Sequence, residues 1–129
     1  MFKVALNIVR ESLEEINPNL ESSVFETTYG NIDYIYSKTS KYSSGLLILN
    51  GSIVYRKYRG TGKFKEMLRL LLSEFPKGTV IQAAVITKKL TLMFKRIGFK
   101  EVNKIEYWGS PANCTLIQGI LTQQMIDLI

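Results

Sequence analysis

One stretch constrains this chain more than any other: SIVYRKYRGTGKFKEML, residues 52–68. β-favouring residues run into a loop with two glycines. Phe64, Met67, Leu68, Leu71, Leu72 and Phe75 then recur at helical spacing. A strand that feeds a helix through a glycine turn belongs to an α/β architecture. The turn also has chemistry. Its glycines permit positive φ and close backbone approach. The first N–H groups of the helix have no partner inside the helix and carry partial positive charge. Five of the ten residues from 56 to 65 are basic: Arg56, Lys57, Arg59, Lys63 and Lys65. Such a loop suits a pyrophosphate or another polyanion.

The flanking patterns extend the α/β reading. Phe2, Ala5, Leu6, Val9, Leu13 and Ile16 share one face of an expected helix, which Asn17-Pro18 ends. Residues 24–29 and 32–38 alternate as strands, with Gly30-Asn31 as the expected two-residue turn. Residues 46–55 read as a long strand interrupted at Asn50-Gly51 by a turn or a bulge. The apolar run 79–86 reads as a buried central strand. Leu90, Met93, Phe94 and Ile97 mark a second helix that Gly98 closes. Residues 99–108 and 113–121 read as two further strands, followed by a short helical tail. With 129 residues and no interdomain linker, the whole chain 1–129 reads as a single domain. The expected sheet is mixed, with helices flanking it.

Composition removes several mechanisms. The chain has no histidine, which excludes Ser-His-Asp and Cys-His catalysis and histidine metal ligation. A single cysteine, Cys114, excludes a disulfide framework and a multi-cysteine zinc site. We therefore expect no metal. No apolar run approaches the ~20 residues needed to span a bilayer, and no leader is apparent, so the expected location is the cytoplasm. The net charge of +6 fits an anionic partner. Nucleic acid is disfavoured, because the basic residues cluster at one turn and not along a stripe with interleaved aromatics.

The loop is not a P-loop, since no Gly-Lys-Ser/Thr follows at the required spacing, and it lacks the three glycines of the dinucleotide fingerprint. YRGTGKF instead resembles the acetyl-CoA signature of the GNAT acetyltransferases, Gln/Arg-x-x-Gly-x-Gly/Ala. Arg59 and Gly62 match its first two fixed positions, and Gly60 matches its common Arg-Gly pair. Phe64 stands where the family has Gly or Ala, and either crowds the pyrophosphate or turns inward. A second segment, LMFKRIGF at 92–99, resembles the family's Leu-Tyr-x-Lys-x-Gly-Phe. The resemblance is good over residues 46–108. The N-terminal third fits only in element order and is short for the family.

The resemblance implies a GNAT-like fold and acetyl transfer from acetyl-CoA, as co-substrate, to an amine. In the family the pantetheine arm lies where the fourth and fifth strands splay apart. That implies backbone pairing at Ile53, Val54 and Tyr55. It also implies pyrophosphate contacts from Arg59, Gly60, Thr61, Gly62, Lys63, Phe64 and Lys65. Thr87 stands where the family often has an Asn, and equally reads as a helix N-cap. Phe94 stands where the family has the tyrosine that protonates the departing thiolate, so that role is vacant. No Asp or Glu lies between Asp33 and Glu66 to act as a base on the fourth strand. Glu26, Asp33, Glu106, Tyr107 and Cys114 are the candidate substitutes, each more ordinary as a surface or packing residue. The catalytic residues, the acceptor and the oligomeric state stay open, a dimer being the commonest homo-oligomer. The competing reading is a catalytically weak or inactive GNAT-fold module that binds acyl-CoA.

Overall fold

The computed structural model describes residues 22–38, 41–103, 105 and 113–129. The expected N-terminal helix and Glu106, Tyr107 and Trp108 lie outside these residues. A six-stranded mixed sheet organises the rest. Its strands are β1 (Ser22–Thr27), β2 (Gly30–Ser37), β3 (Leu46–Val54), β4 (Val80–Val85), β5 (Lys100–Glu101) and β6 (Thr115–Ile120). They lie in the order β1-β2-β3-β4-β6-β5. Helices α1 (Lys63–Leu72) and α2 (Lys88–Arg96) and a short C-terminal α3 (Gln123–Leu128) complete the described chain.

The central strands are apolar because both faces are covered. Leu47, Leu49, Ile81 and Ala83 pack with Leu68, Leu71 and Phe94 in one large cluster. Leu46, Ile48, Ile35 and Leu116 pack on the opposite face. Strand β3 runs parallel to β4, and all other pairings are antiparallel. That parallel pair requires a crossover, which α1 supplies after the basic loop.

The interruption at Asn50-Gly51 is a bulge. Asp33 pairs with Gly51 and Tyr34 with Leu49, so Asn50 is an extra residue in β3. Asn50 is only 4% exposed, and neither its Oδ1 nor its Nδ2 has a hydrogen-bond partner. A bulge bends its strand and strengthens the local twist. Here β3 leaves β4 at the same point. Only Leu46–Leu49 pair with Val80–Ala83, although β3 continues to Val54 and β4 to Val85. The two strands form a fork.

The β1–β2 turn differs from the sequence expectation. It falls at Thr28-Tyr29, because Thr27 pairs with Gly30 and Gly30 opens β2. The Thr27 hydroxyl donates to the Gly30 carbonyl and accepts from the Tyr29 amide, which fixes the turn without glycine. Gly30 serves another need. A Cβ there would collide with the carbonyl of Ile53 on β3. Of the strand expected at 99–108, Lys100–Glu101 is extended and paired with β6. Gly30→Ala should therefore lower stability by about 2–4 kcal/mol, read as a shifted urea midpoint, with the strand pairing itself disturbed.

Candidate functional site

Past the bulge, the strands decide which backbone groups are free. In an antiparallel ladder, residues alternate between bonding the neighbour and facing away from it. The Tyr55 amide donates to Tyr29 O at 2.8 Å, and Gly30 pairs with Val54. Ile53 therefore bonds toward β2 with Tyr55, while Ser52 and Val54 turn their backbone groups toward β4. The same reasoning applies on the other side. Leu121 N donates to Thr79 O, so Thr79, Ile81, Ala83 and Val85 bond β6, and Ala84 faces β3. The fork thus holds main-chain groups of Ser52 and Val54, and the carbonyl of Ala84, that no strand satisfies; the Ala84 amide makes the last β3–β4 bond, to Leu49. Of the residues expected from the resemblance to pair there, Val54 faces the gap and Ile53 and Tyr55 face away from it. Ser52 was not anticipated, because the parity beyond a bulge cannot be assigned until the extra residue is located.

A cavity of about 250 Å³ occupies the fork. Its walls include Leu49, Ser52, Ala84, Phe64, Leu90 and Phe94, and none of its lining residues has a side chain that titrates near neutral pH. It adjoins a second, more open cleft of about 490 Å³ over the basic loop, and Phe64, Thr87 and Leu90 line both. Arg59, Lys63 and Lys65 stand on one side of this cleft, and Lys89 and Arg96 from α2 stand on the other. Among the described residues, no carboxylate lines it. An apolar, amide-lined slot therefore opens into a cationic mouth.

The loop geometry explains the mouth. After β3 comes a single 3-10 turn, Arg56–Tyr58, and then Gly60 and Gly62 at φ 79° and 76°. Gly62 is the N-cap of α1, and no side chain caps the helix. Its first N–H groups are thus left to solvent or to a ligand. The Thr61 hydroxyl donates to Tyr58 O and ties the loop to itself. Arg59 Nε donates to Val54 O at 3.0 Å, which uses one carbonyl of the fork and leaves the rest of the guanidinium free to bond elsewhere. Lys63 lies 3.2 Å from Glu66 and 4.4 Å from the centre of the Tyr29 ring. The hydrogen bond to Glu66 holds its ammonium above the ordinary lysine range. Lys63 therefore stays cationic at every pH below that range, and the pairing is lost only as pH rises through the raised value.

Phe64 turns inward. Its ring meets that of Phe94 edge-to-face at 6.3 Å, so the loop is not closed by it. Phe94 is 2% exposed and packs on Phe99 at 4.9 Å. Thr87 caps α2, its hydroxyl accepting from Leu90 N at 3.2 Å. Tyr55 is exposed at the end of β3 and donates its hydroxyl to Glu26, and so is not packed within the strand. Glu26 and Asp33 lie on β1 and β2 and do not line the fork cavity. Cys114 is half-buried just before β6, more open than a core residue. Among the described residues, no three His, Cys, Asp or Glu come together as metal ligands. Among the same residues, no helix is long and apolar enough to cross a membrane.

No family model matches the sequence, and no curated protein matches it. Solved structures do match the shape. A putative GNAT-family acetyltransferase from Bacteroides thetaiotaomicron superposes with a TM-score of 0.54 at 17% identity, over 88% of this chain and 68% of that one. The ribosomal-protein-alanine N-acetyltransferase of Brucella melitensis superposes with a TM-score of 0.51 at 20% identity, over 90% and 78%. Arabidopsis thaliana Naa50, solved with the bisubstrate analogue CoA-Ac-MVNAL, gives 0.50 at 20% identity, over 70% of this chain and 64% of that one. This chain thus spans under two thirds of that enzyme. The likeness establishes the fold, a GNAT acetyltransferase fold, as the two motifs implied.

The cap assignment has a direct check. Thr87→Ala should cost about 1 kcal/mol, measured by chemical denaturation. Thr87→Ser should restore most of it.

Proposed function

We propose that this GNAT-fold chain binds acetyl-CoA in the fork and basic loop and transfers the acetyl group to an amine. The observation that carries the reading is the fork itself. The backbone groups of Ser52, the Val54 amide and the Ala84 carbonyl lie without a strand partner beside an apolar slot that opens onto a five-cation mouth. The pantetheine arm of CoA alternates amides with methylenes, and its pyrophosphate follows. The slot offers bonds to amides and walls to methylenes, and the mouth offers cations and helix N–H groups to phosphate. In this reading Val54, with Ser52, pairs the pantetheine amides. Gly60, Thr61, Gly62, Lys63, Phe64 and Lys65 supply backbone N–H groups around the pyrophosphate, and Arg59 lies beside it. Ile53 and Tyr55 flank this strand end, Thr87 shapes the passage between slot and mouth, and Phe94 floors the slot.

Acetyl-CoA supplies an activated acetyl group as a thioester. Transfer forms a C–N bond and breaks a C–S bond, and the amine's proton must reach the departing thiolate. Among the described residues, the fork walls offer only the hydroxyls of Ser52 and Thr87 besides backbone. Water therefore carries that proton in this reading. A free Ser52 or Val54 amide is positioned to donate to the thioester carbonyl, where charge develops. The same lack of a titrating side chain favours a second reading, a GNAT-fold module that binds acyl-CoA with little or no turnover.

Calorimetric titration with acetyl-CoA and with CoA tests the cofactor site, and micromolar saturable binding to both is expected. A Cβ at Gly62 would meet no atom, but its φ of 76° strains any side-chain-bearing residue by about 1–2 kcal/mol. Gly62→Trp should therefore fold with lowered stability and fill the mouth, its folding checked by circular dichroism. Loss of charged hydrogen bonds there should weaken binding more than about tenfold. Unchanged affinity in that variant would sink the loop assignment. Phe94→Tyr should fold and, where thiolate protonation limits the rate, raise thiol release from acetyl-CoA. A slower but folded variant would make Phe94 a wall of the acyl site.

A further inference from the structure

The two faces of the sheet beside the fork differ in charge. Phe25 on β1, Ile32, Tyr34 and Tyr36 on β2, and Val54 on β3 pack into the cluster that α1 and α2 cover. Side chains alternate along a strand. Val24, Glu26, Asn31, Asp33 and Ile53 therefore share the opposite face. Val24 is 60% and Ile53 54% exposed, and Glu26 is exposed, so this part of that face is open. Glu26 pairs with Asn31, and Val24 with Asp33, so the two carboxylates are diagonal neighbours across β1 and β2. Such positions lie about 7–8 Å apart. Tyr55 OH donates to Glu26 at 3.2 Å and steadies one of them. Strands β1, β2 and β3 contain no Lys or Arg, in a chain that has 17.

A second observation marks the same place. Asn50 follows Leu49 and precedes Gly51, the partner of Asp33. Leu49, Gly51 and Ser52 line the helix-side cavity and Asn50 does not. Its amide is 4% exposed, with donor and acceptor both unpartnered. A buried amide without partners is costly, and it stands at the base of the fork beside the acidic face.

We propose that this face receives the acceptor, and that the acceptor is a small amine with a second positive charge. This rests on the acetyl-CoA reading. The anionic co-substrate enters on the helix side, where five cations line the cleft. The cationic acceptor approaches from the other side, over Val24 and Ile53, with its distal ammonium held by Glu26 and Asp33. Its reacting nitrogen is delivered to the fork, at whose base the Asn50 side-chain amide has no partner.

The test titrates 1,4-diaminobutane and 1-aminobutane into the CoA-saturated protein. Exposed ion pairs are worth little, so the diamine should bind about three- to tenfold more tightly than the monoamine. The preference should fade in high salt. Glu26→Gln with Asp33→Asn should abolish it and leave CoA affinity unchanged. Both changes are at exposed or half-buried strand positions and preserve shape. Equal binding of the two amines overturns the proposal, as does a preference that survives the double variant. A lysine-rich peptide that binds more tightly than the diamine overturns the small-amine assignment. The two readings fail separately. Diamine selectivity in a protein that ignores CoA removes the cofactor assignment alone, and CoA binding without amine selectivity removes this one alone.

Discussion

Everything distinctive in this molecule depends on backbone hydrogen bonds that stop. Strands β3 and β4 pair over four residues and then part, with unmade bonds on both inner edges. Unsatisfied peptide groups in an apolar setting cost free energy. A sheet keeps such an opening only where something holds the strands apart and something else meets the exposed groups. The extra residue in β3 does the first. The slot, open to solvent at its basic mouth, allows the second.

The surrounding packing serves that opening. The cluster of Leu68, Leu71, Met93 and Phe94 holds both helices on one side of the sheet, so the start of α1 and the flank of α2 face each other across the mouth. Gly60 and Gly62 turn the chain from β3 into α1 through left-handed backbone that other residues resist. Phe64, pinned on Phe94, becomes the shared wall of slot and mouth. In this way a residue that departs from the usual small one packs one side of its ring on the core and walls the ligand path with the rest.

Much of this was legible in the residues. The strand–loop–helix at 52–72 and the stripes of both helices follow from periodicity alone, and α1 and α2 begin within two residues of where their patterns start. What the pattern alone leaves undecided has physical reasons. Gly30 reads as a turn residue, but its lack of a side chain serves the contact with Ile53, which no local pattern reveals. A motif takes Ile53, Val54 and Tyr55 together, whereas the ladder alternates and turns Ser52 and Val54 toward the fork. That parity depends on the position of the bulge. The acidic face was invisible for a similar reason, since Glu26 and Asp33 become neighbours only through the β1–β2 register.

The fork's polar groups are main chain, and every residue type carries the same N–H and C=O, proline excepted. A site built this way asks for a backbone path and almost nothing of the letters along it. Substitution can therefore run far before the opening is lost. The slot-lining positions here are mostly interchangeable apolar residues, with the two loop glycines among the few fixed demands. This accounts for a chain that sequence comparison places with no family while its shape aligns with acetyltransferases at identities of 17% to 20%. Drift in spelling with constancy of path is the expected history of a backbone-built site.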